Sequence, residues 1–119
     1  MMKTQRTCFA LDLKDDDKLI AAYEQIHKPE NIWPEIPAGI LAGGILDMQI
    51  YRFSTHLFMI AETEEGIDIN EAFAVISKMP RQKEWAMFMA EFQKKLNGAS
   101  PNEHWAKMKQ IFALNECLK

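Results

Sequence analysis

Tyr23 and His27 stand four residues apart in the run Leu19-Ile20-Ala21-Ala22-Tyr23-Glu24-Gln25-Ile26-His27, shortly before the aromatic break Ile32-Trp33-Pro34-Glu35. On an α-helix that spacing sets two side chains one turn apart on the same surface, so a phenol and an imidazole project together. Leu19, Ile20, Tyr23, Ile26 and His27 share one helical arc, whereas Asp16, Asp17, Lys18, Glu24 and Gln25 take the rest. The imidazole, with an ordinary pKa of about 6.5, therefore points inward where it could hold or pass a proton at neutral pH. His27 is a candidate general acid/base. Tyr23, with a reference pKa near 10, suits hydrogen bonding to a ligand or to the imidazole better than titration. Trp33 and Trp85 offer flat apolar faces, each with an indole N–H as a polar handle. The same residues have plainer uses. A histidine on an apolar stripe can be a hydrogen-bonded core residue, Tyr23 and Trp85 also fit core packing, and Trp33 beside Pro34 fits a staple for the connecting segment.

The elements that must hold these groups follow from pattern. Thr7 to Leu13 is rich in strand formers and ends at Lys14 to Asp17, which can cap a helix running to about His27. Pro29, Pro34 and Pro37 interrupt the next stretch, with a short second helix expected from Pro34 to Leu41 and an end at Gly43-Gly44. Ile45 to Phe53 and His56 to Thr63 flank Ser54-Thr55 and read as a hairpin. Asp68 with Glu71 resembles a capping box before Ala72 to Met79. Pro80 then opens a helix carrying Trp85, Phe88, Met89, Phe92 and Leu96 on one face, closed by Asn97-Gly98. After a polar loop, Ala99 to His104, Met108 to Leu114 reads as the final strand.

Strand, helix, strand, strand, helix, strand is the split β-α-β, ferredoxin-like α+β pattern: one antiparallel sheet with helices on one face. Leu57-Phe58-Met59-Ile60-Ala61 is apolar at both parities, and Thr7 to Leu13 sets Phe9 and Leu11 opposite Cys8 and Ala10. Such strands need cover on both faces. One chain has helices for only one, so the second face is expected to meet another copy in a homodimer.

The chain has 119 residues, 48% hydrophobic and 26% charged, which suits one domain spanning residues 1–119. A net charge of −3 without a Lys/Arg cluster gives no footprint for nucleic acid and favours a small neutral ligand. Cys8 and Cys117 lack metal-like spacing, and Asp15 to Asp17 reads as a helix-start charge cluster rather than a metal site. No apolar run approaches the ~20 residues of a membrane span and no signal-peptide core is evident, so a reduced, cytoplasmic protein is expected. His56 and His104 read as solvated surface residues.

The segments Tyr23 to His27, Ile32-Trp33-Pro34-Glu35, Leu57-Phe58-Met59 and Glu84-Trp85 followed by Met89 resemble the L-rhamnose mutarotase family over nearly the whole chain. The resemblance implies a dimeric α/β barrel of ferredoxin-like protomers that interconverts sugar anomers without a cofactor. It implies His27 as the proton donor and Tyr23 and Trp85 as sugar contacts, with Trp33 a further candidate. Three positions depart from the family: the histidine-to-tryptophan connection Lys28 to Ile32 is longer, Ala86 replaces a second tryptophan, and Met48 falls where a substrate-contacting tyrosine stands. Tyr51 is the nearest phenol, on the opposite face of an ideal strand. The implied substrate is a 6-deoxyhexose, L-rhamnose or L-fucose. Mutarotation adds a proton to the ring oxygen and removes one from the anomeric hydroxyl, chemistry that suits an imidazole. A non-catalytic dimeric ferredoxin-like module binding a small ligand or a protein is the alternative that fold alone leaves open, with a cofactor-free oxygenase more distant.

Overall fold

The protein is described by a computed structural model covering residues 3–96, 98 and 104–118. Strand β1, Thr4–Leu13, buries Phe9, Leu11 and Leu13, the alternate residues that a pleated strand turns to one side. Helix α1, Asp17–Ile26, begins where the Asp16 carboxylate accepts from the backbone N–H groups of Lys18 and Leu19, and ends at His27. Helix α2, Glu35–Ala42, starts after Pro34 and stops at Gly43. Strands β2, Asp47–Phe53, and β3, His56–Glu64, form the expected hairpin, with Ser54 taking a φ of 55° in the turn.

Asp68 caps helix α3, Ile69–Ile76, by accepting from Asn70 N–H and Glu71 N–H, so this helix begins one turn earlier than the apolar pattern alone suggests. Helix α4, Gln82–Ala90, follows Arg81. Two short strands, β4 at Gln93–Lys94 and β5 at Ala106–Lys107, both pair with β1, and a final turn of helix α5 spans Leu114–Cys117.

The sheet order is β2-β3-β1-β4, all pairs antiparallel, which is the strand order of the split β-α-β pattern. The last strand is not where the sequence pattern puts it. Trp85, Phe88, Met89 and Phe92 keep helical spacing, yet α4 ends at Ala90 because the next residues complete β1: Lys14 N–H donates to Phe92 carbonyl at 2.9 Å and Gln93 pairs with Leu13. Met108 N–H reaches Cys8 carbonyl, but beyond it Ile111 and Phe112 lie exposed without a strand partner, so Met108 to Leu114 is not the final strand. Asn97 and residues 99–103, which carry the expected helix end and polar loop, lie outside the described residues.

Helices α1 to α4 cover one face of the sheet. Leu13, Tyr23, Leu57, Met89 and Phe92 form a core cluster under α1 and α4, and Phe9, Ile45, Met59, Ile69 and Ile76 a second under α2 and α3. Glycine allows α2 to approach α4 closely: a Cβ on Gly39 would stand 2.4 Å from Gln82 Nε2, which would have to shift. The other sheet face carries Cys8, Ala10, Tyr51, Phe53, Phe58 and Ile60, placed together by the pairs Ala10 with Phe58, Cys8 with Ile60 and Tyr51 with Phe58. Phe53 is 75% exposed and Tyr51 55%, an apolar surface that no helix among the described residues covers. Among the described residues no helix is long and apolar enough to cross a membrane.

Candidate active site

Where the two core clusters part, a cavity of about 440 Å³ opens between the sheet and the helices. Tyr23, His27, Met59, Ile76, Trp85 and Trp105 are among its walls, so aromatic and aliphatic surface dominates. The fold therefore brings three of the four sequence candidates, Tyr23, His27 and Trp85, to one space. Their rings are in contact: Tyr23 and His27 lie 4.3 Å apart between centroids, and His27 meets Trp85 edge-on at 5.4 Å. Trp33 stands elsewhere. It is not among the residues lining the cavity but packs behind it, edge-on to Trp85 at 5.1 Å and stacked on Phe88 at 5.7 Å. The Arg81 guanidinium covers Trp33, 3.9 Å from its ring centre, and is itself paired with Glu84 at 3.1 Å and Glu35 at 3.6 Å.

His27 Nδ1 lies 2.7 Å from the backbone carbonyl oxygen of Tyr23. A carbonyl only accepts, so Nδ1 carries the hydrogen and Nε2 of the neutral ring keeps a free lone pair. Burial lowers the His27 pKa, an effect opposed in part by that same bond to the Tyr23 carbonyl. Burial raises the Tyr23 pKa, opposed by a hydrogen bond from Gln93. Both groups are thereby held neutral near pH 7: a base with a lone pair beside an intact phenol.

Pattern reading missed the far wall. Gln93 was expected within a helix and His104 on a solvated loop; instead both line the cavity, with His104 Nε2 2.6 Å from Gln93 Oε1 and Gln93 Nε2 donating to the Tyr23 hydroxyl at 3.2 Å. His104 is exposed, as expected of a surface histidine, but its ring is tied to the cavity wall through Gln93. Gln82 closes another side, both amide hydrogens committed to the carbonyls of Glu35 and Ile36. Neither glutamine carries a sequence signal, since Gln93 reaches the cavity by pairing with β1 and Gln82 by the packing of α4 on α2. His56 fits its expected surface position more closely, half-exposed on the open sheet face and paired with Asp12 at 2.7 Å. Met48 and Ala86 line the cavity, whereas the Tyr51 hydroxyl donates to Gln49 on the other face.

The sequence profile of the L-rhamnose mutarotase family matches residues 6–114. This chain belongs to that family. The mutarotase family assignment makes it an isomerase that interconverts sugar anomers. A relative from Xanthomonas campestris pv. campestris, an L-fucose mutarotase, is 39% identical over 117 residues, covering 98% of this chain and 94% of that protein. Among solved structures, the L-rhamnose mutarotase of Formosa agariphila superposes with a TM-score of 0.60 at 20% identity, covering 92% of this chain and 97% of that one. The tetracenomycin F2 cyclase of Streptomyces glaucescens superposes with the same TM-score at 15% identity, covering 92% and 95%. These two likenesses concern the fold; the family rests on the sequence matches.

Proposed function

We propose that the cavity binds a 6-deoxyhexose, L-fucose first and L-rhamnose as the second reading, and that His27 moves the proton that opens and closes the ring. One observation carries the mechanism: the Nδ1–H bond to the Tyr23 carbonyl leaves Nε2 as a fixed, neutral acceptor at the cavity wall. Such a group takes the anomeric hydroxyl proton first. This order makes His27 a base on ring opening and a donor on ring closure, so the donor role implied by the family describes the second half of the cycle. Once the aldehyde is free, rotation about C1–C2 presents its other face and closure gives the other anomer. Trp85 and Trp105 offer flat faces to the C–H side of the pyranose, Trp33 braces Trp85 from behind, and the apolar lining suits a methyl at C6. L-Fucose stands first because the fucose mutarotase relative matches this chain nearly end to end.

Two copies close the open sheet faces on one another in this proposal, giving a dimeric α/β barrel. The exposed Tyr51, Phe53 and Phe58 support it, as do Ile111 at 91% and Leu118 at 72% exposure along the C-terminal segment. The single domain carries the whole reaction without a cofactor, and its free cysteines, Cys8 and Cys117, suit a reducing cytoplasm. NMR saturation exchange between α and β anomers tests the substrate directly, with accelerated exchange expected for L-fucose. Acceleration of L-rhamnose alone would select the second reading, and acceleration of no sugar would leave the non-catalytic binding module.

A further inference from the structure

We propose that Gln93 and His104 are positioning residues for this reaction, turning the Tyr23 hydroxyl so that its hydrogen points into the cavity toward the sugar ring oxygen. The inference rests on the mutarotase reading above and assigns the partner that His27 needs. Three side chains form a chain of hydrogen bonds: His104 Nε2 lies 2.6 Å from Gln93 Oε1, and Gln93 Nε2 lies 3.2 Å from the Tyr23 hydroxyl. These bonds have a direction. An amide nitrogen only donates and an amide oxygen only accepts, so His104 gives its Nε2 hydrogen to Gln93 and Gln93 gives one to Tyr23. The phenol oxygen is thus occupied as an acceptor, and its own hydrogen is the one left over for a ligand. Gln93 is 8% exposed and Tyr23 4%, so the bond between them lies out of bulk water, while His104 closes the chain at the exposed end.

Ring opening needs this hydrogen. The O1–H bond breaks and its proton passes to His27 Nε2; the C1–O5 bond breaks as C1=O1 forms; the released electron pair goes to O5, which takes the Tyr23 hydrogen. Gln93 N–H then donates to the phenolate. Closure on the other aldehyde face returns the O5 hydrogen to Tyr23 while the imidazolium protonates O1, so atoms and charge balance over the cycle. Burial raises the Tyr23 pKa overall, and the Gln93 hydrogen bond offsets part of that rise.

Gln93→Glu provides the test, because a carboxylate keeps the length and the bond from His104 but can only accept from the phenol, turning the hydroxyl away from the sugar. With L-fucose and L-rhamnose exchange followed by NMR, kcat should fall roughly 10-fold or more while KM moves less than about threefold. In a Tyr23→Phe background the same change should cost less than about twofold, since no hydroxyl remains to orient. His104→Gln, which retains an N–H donor at similar reach, should keep kcat within about threefold, and His104→Leu should lower it further than that. Parent-like kcat in Gln93→Glu, or losses that multiply in the double variant, would overturn the assignment while leaving the mutarotase reading in place. If Gln93→Glu does not fold, the His104 pair decides, equal rates in both counting against the proposal. Parent exchange is measured first, and its absence for every sugar would remove both readings together.

Discussion

The rings of Tyr23 and His27 lie 4.3 Å apart, and burial moves the two pKa values in opposite directions so that both groups are neutral together. A base whose proton affinity is lowered by burial stays competent to more acidic pH than free imidazole. Anomer exchange should therefore rise from acid pH, reach half its plateau below about 6.5, and stay level through neutrality. A kcat profile with its midpoint above 6.5, or with no acid limb, would remove His27 from the base role.

Stability should follow the same group. The unfolded chain binds the His27 proton more readily than the folded one, so the contribution is full above about 6.5 and lost as pH falls through the depressed folded value. His104, also lowered by burial and by the charge of Lys95, adds in the same direction. Tm should be higher at pH 7.5 than at pH 5, and His27→Asn should narrow that difference.

His27→Asn and Trp85→Ala should separate chemistry from binding. The first removes the titrating nitrogen yet leaves an amide able to donate to the Tyr23 carbonyl, so exchange should drop roughly 10²-fold or more with sugar affinity largely kept. The second removes ring surface, raising KM and lowering stability by ~3 kcal/mol, at the low end for tryptophan truncation because Trp85 is only partly buried. Equal exchange in parent and His27→Asn would make the imidazole structural.

Gly39→Ala inverts a general rule. In an open helix the change stabilises by about 1 kcal/mol. Here the new methyl would press on Gln82 Nε2 and displace an amide that satisfies two α2 carbonyls, so a net loss of about 1–3 kcal/mol is expected by denaturant titration.

Phe58→Arg should yield monomers. The ring is 41% exposed at the centre of the open sheet face, between Ala10 and Tyr51, where two copies would bring like charges together. Sedimentation at micromolar concentration should show the parent as a dimer and the variant at 13.8 kDa, whereas a parent of 13.8 kDa would exclude the paired barrel.

The elements up to α3 and the Tyr23–His27 pair were legible because each is written in local sequence: a capping Asp16, a period of about 3.6 from Leu19 to His27, alternation in Thr7 to Leu13. The end of the chain was not. Phe92 continues an apolar helical stripe, and nothing within a few residues of it reveals that Lys14, far back in sequence, will claim its carbonyl. Gln93 and His104 were missed for that reason, being brought to the cavity by pairing to β1 rather than by any motif. Trp33 was legible as an aromatic near the site, but spacing cannot tell which side of Trp85 it occupies.

His27 is also the residue that closes α1, at the end toward which the helix carbonyls point, where the Gln25 carbonyl accepts from the His27 and Lys28 backbone N–H groups and from the Asn31 side-chain amide. Those carbonyls give that terminus a partial negative charge, which welcomes a cation by about 0.3–1 kcal/mol in ordinary settings and up to ~2 where partly shielded from water. Burial expels the proton and the helix terminus attracts it. An imidazole set between these two pulls holds its proton loosely, which suits a reaction that must borrow one and hand it back in every cycle, with neither anomer favoured by the catalyst.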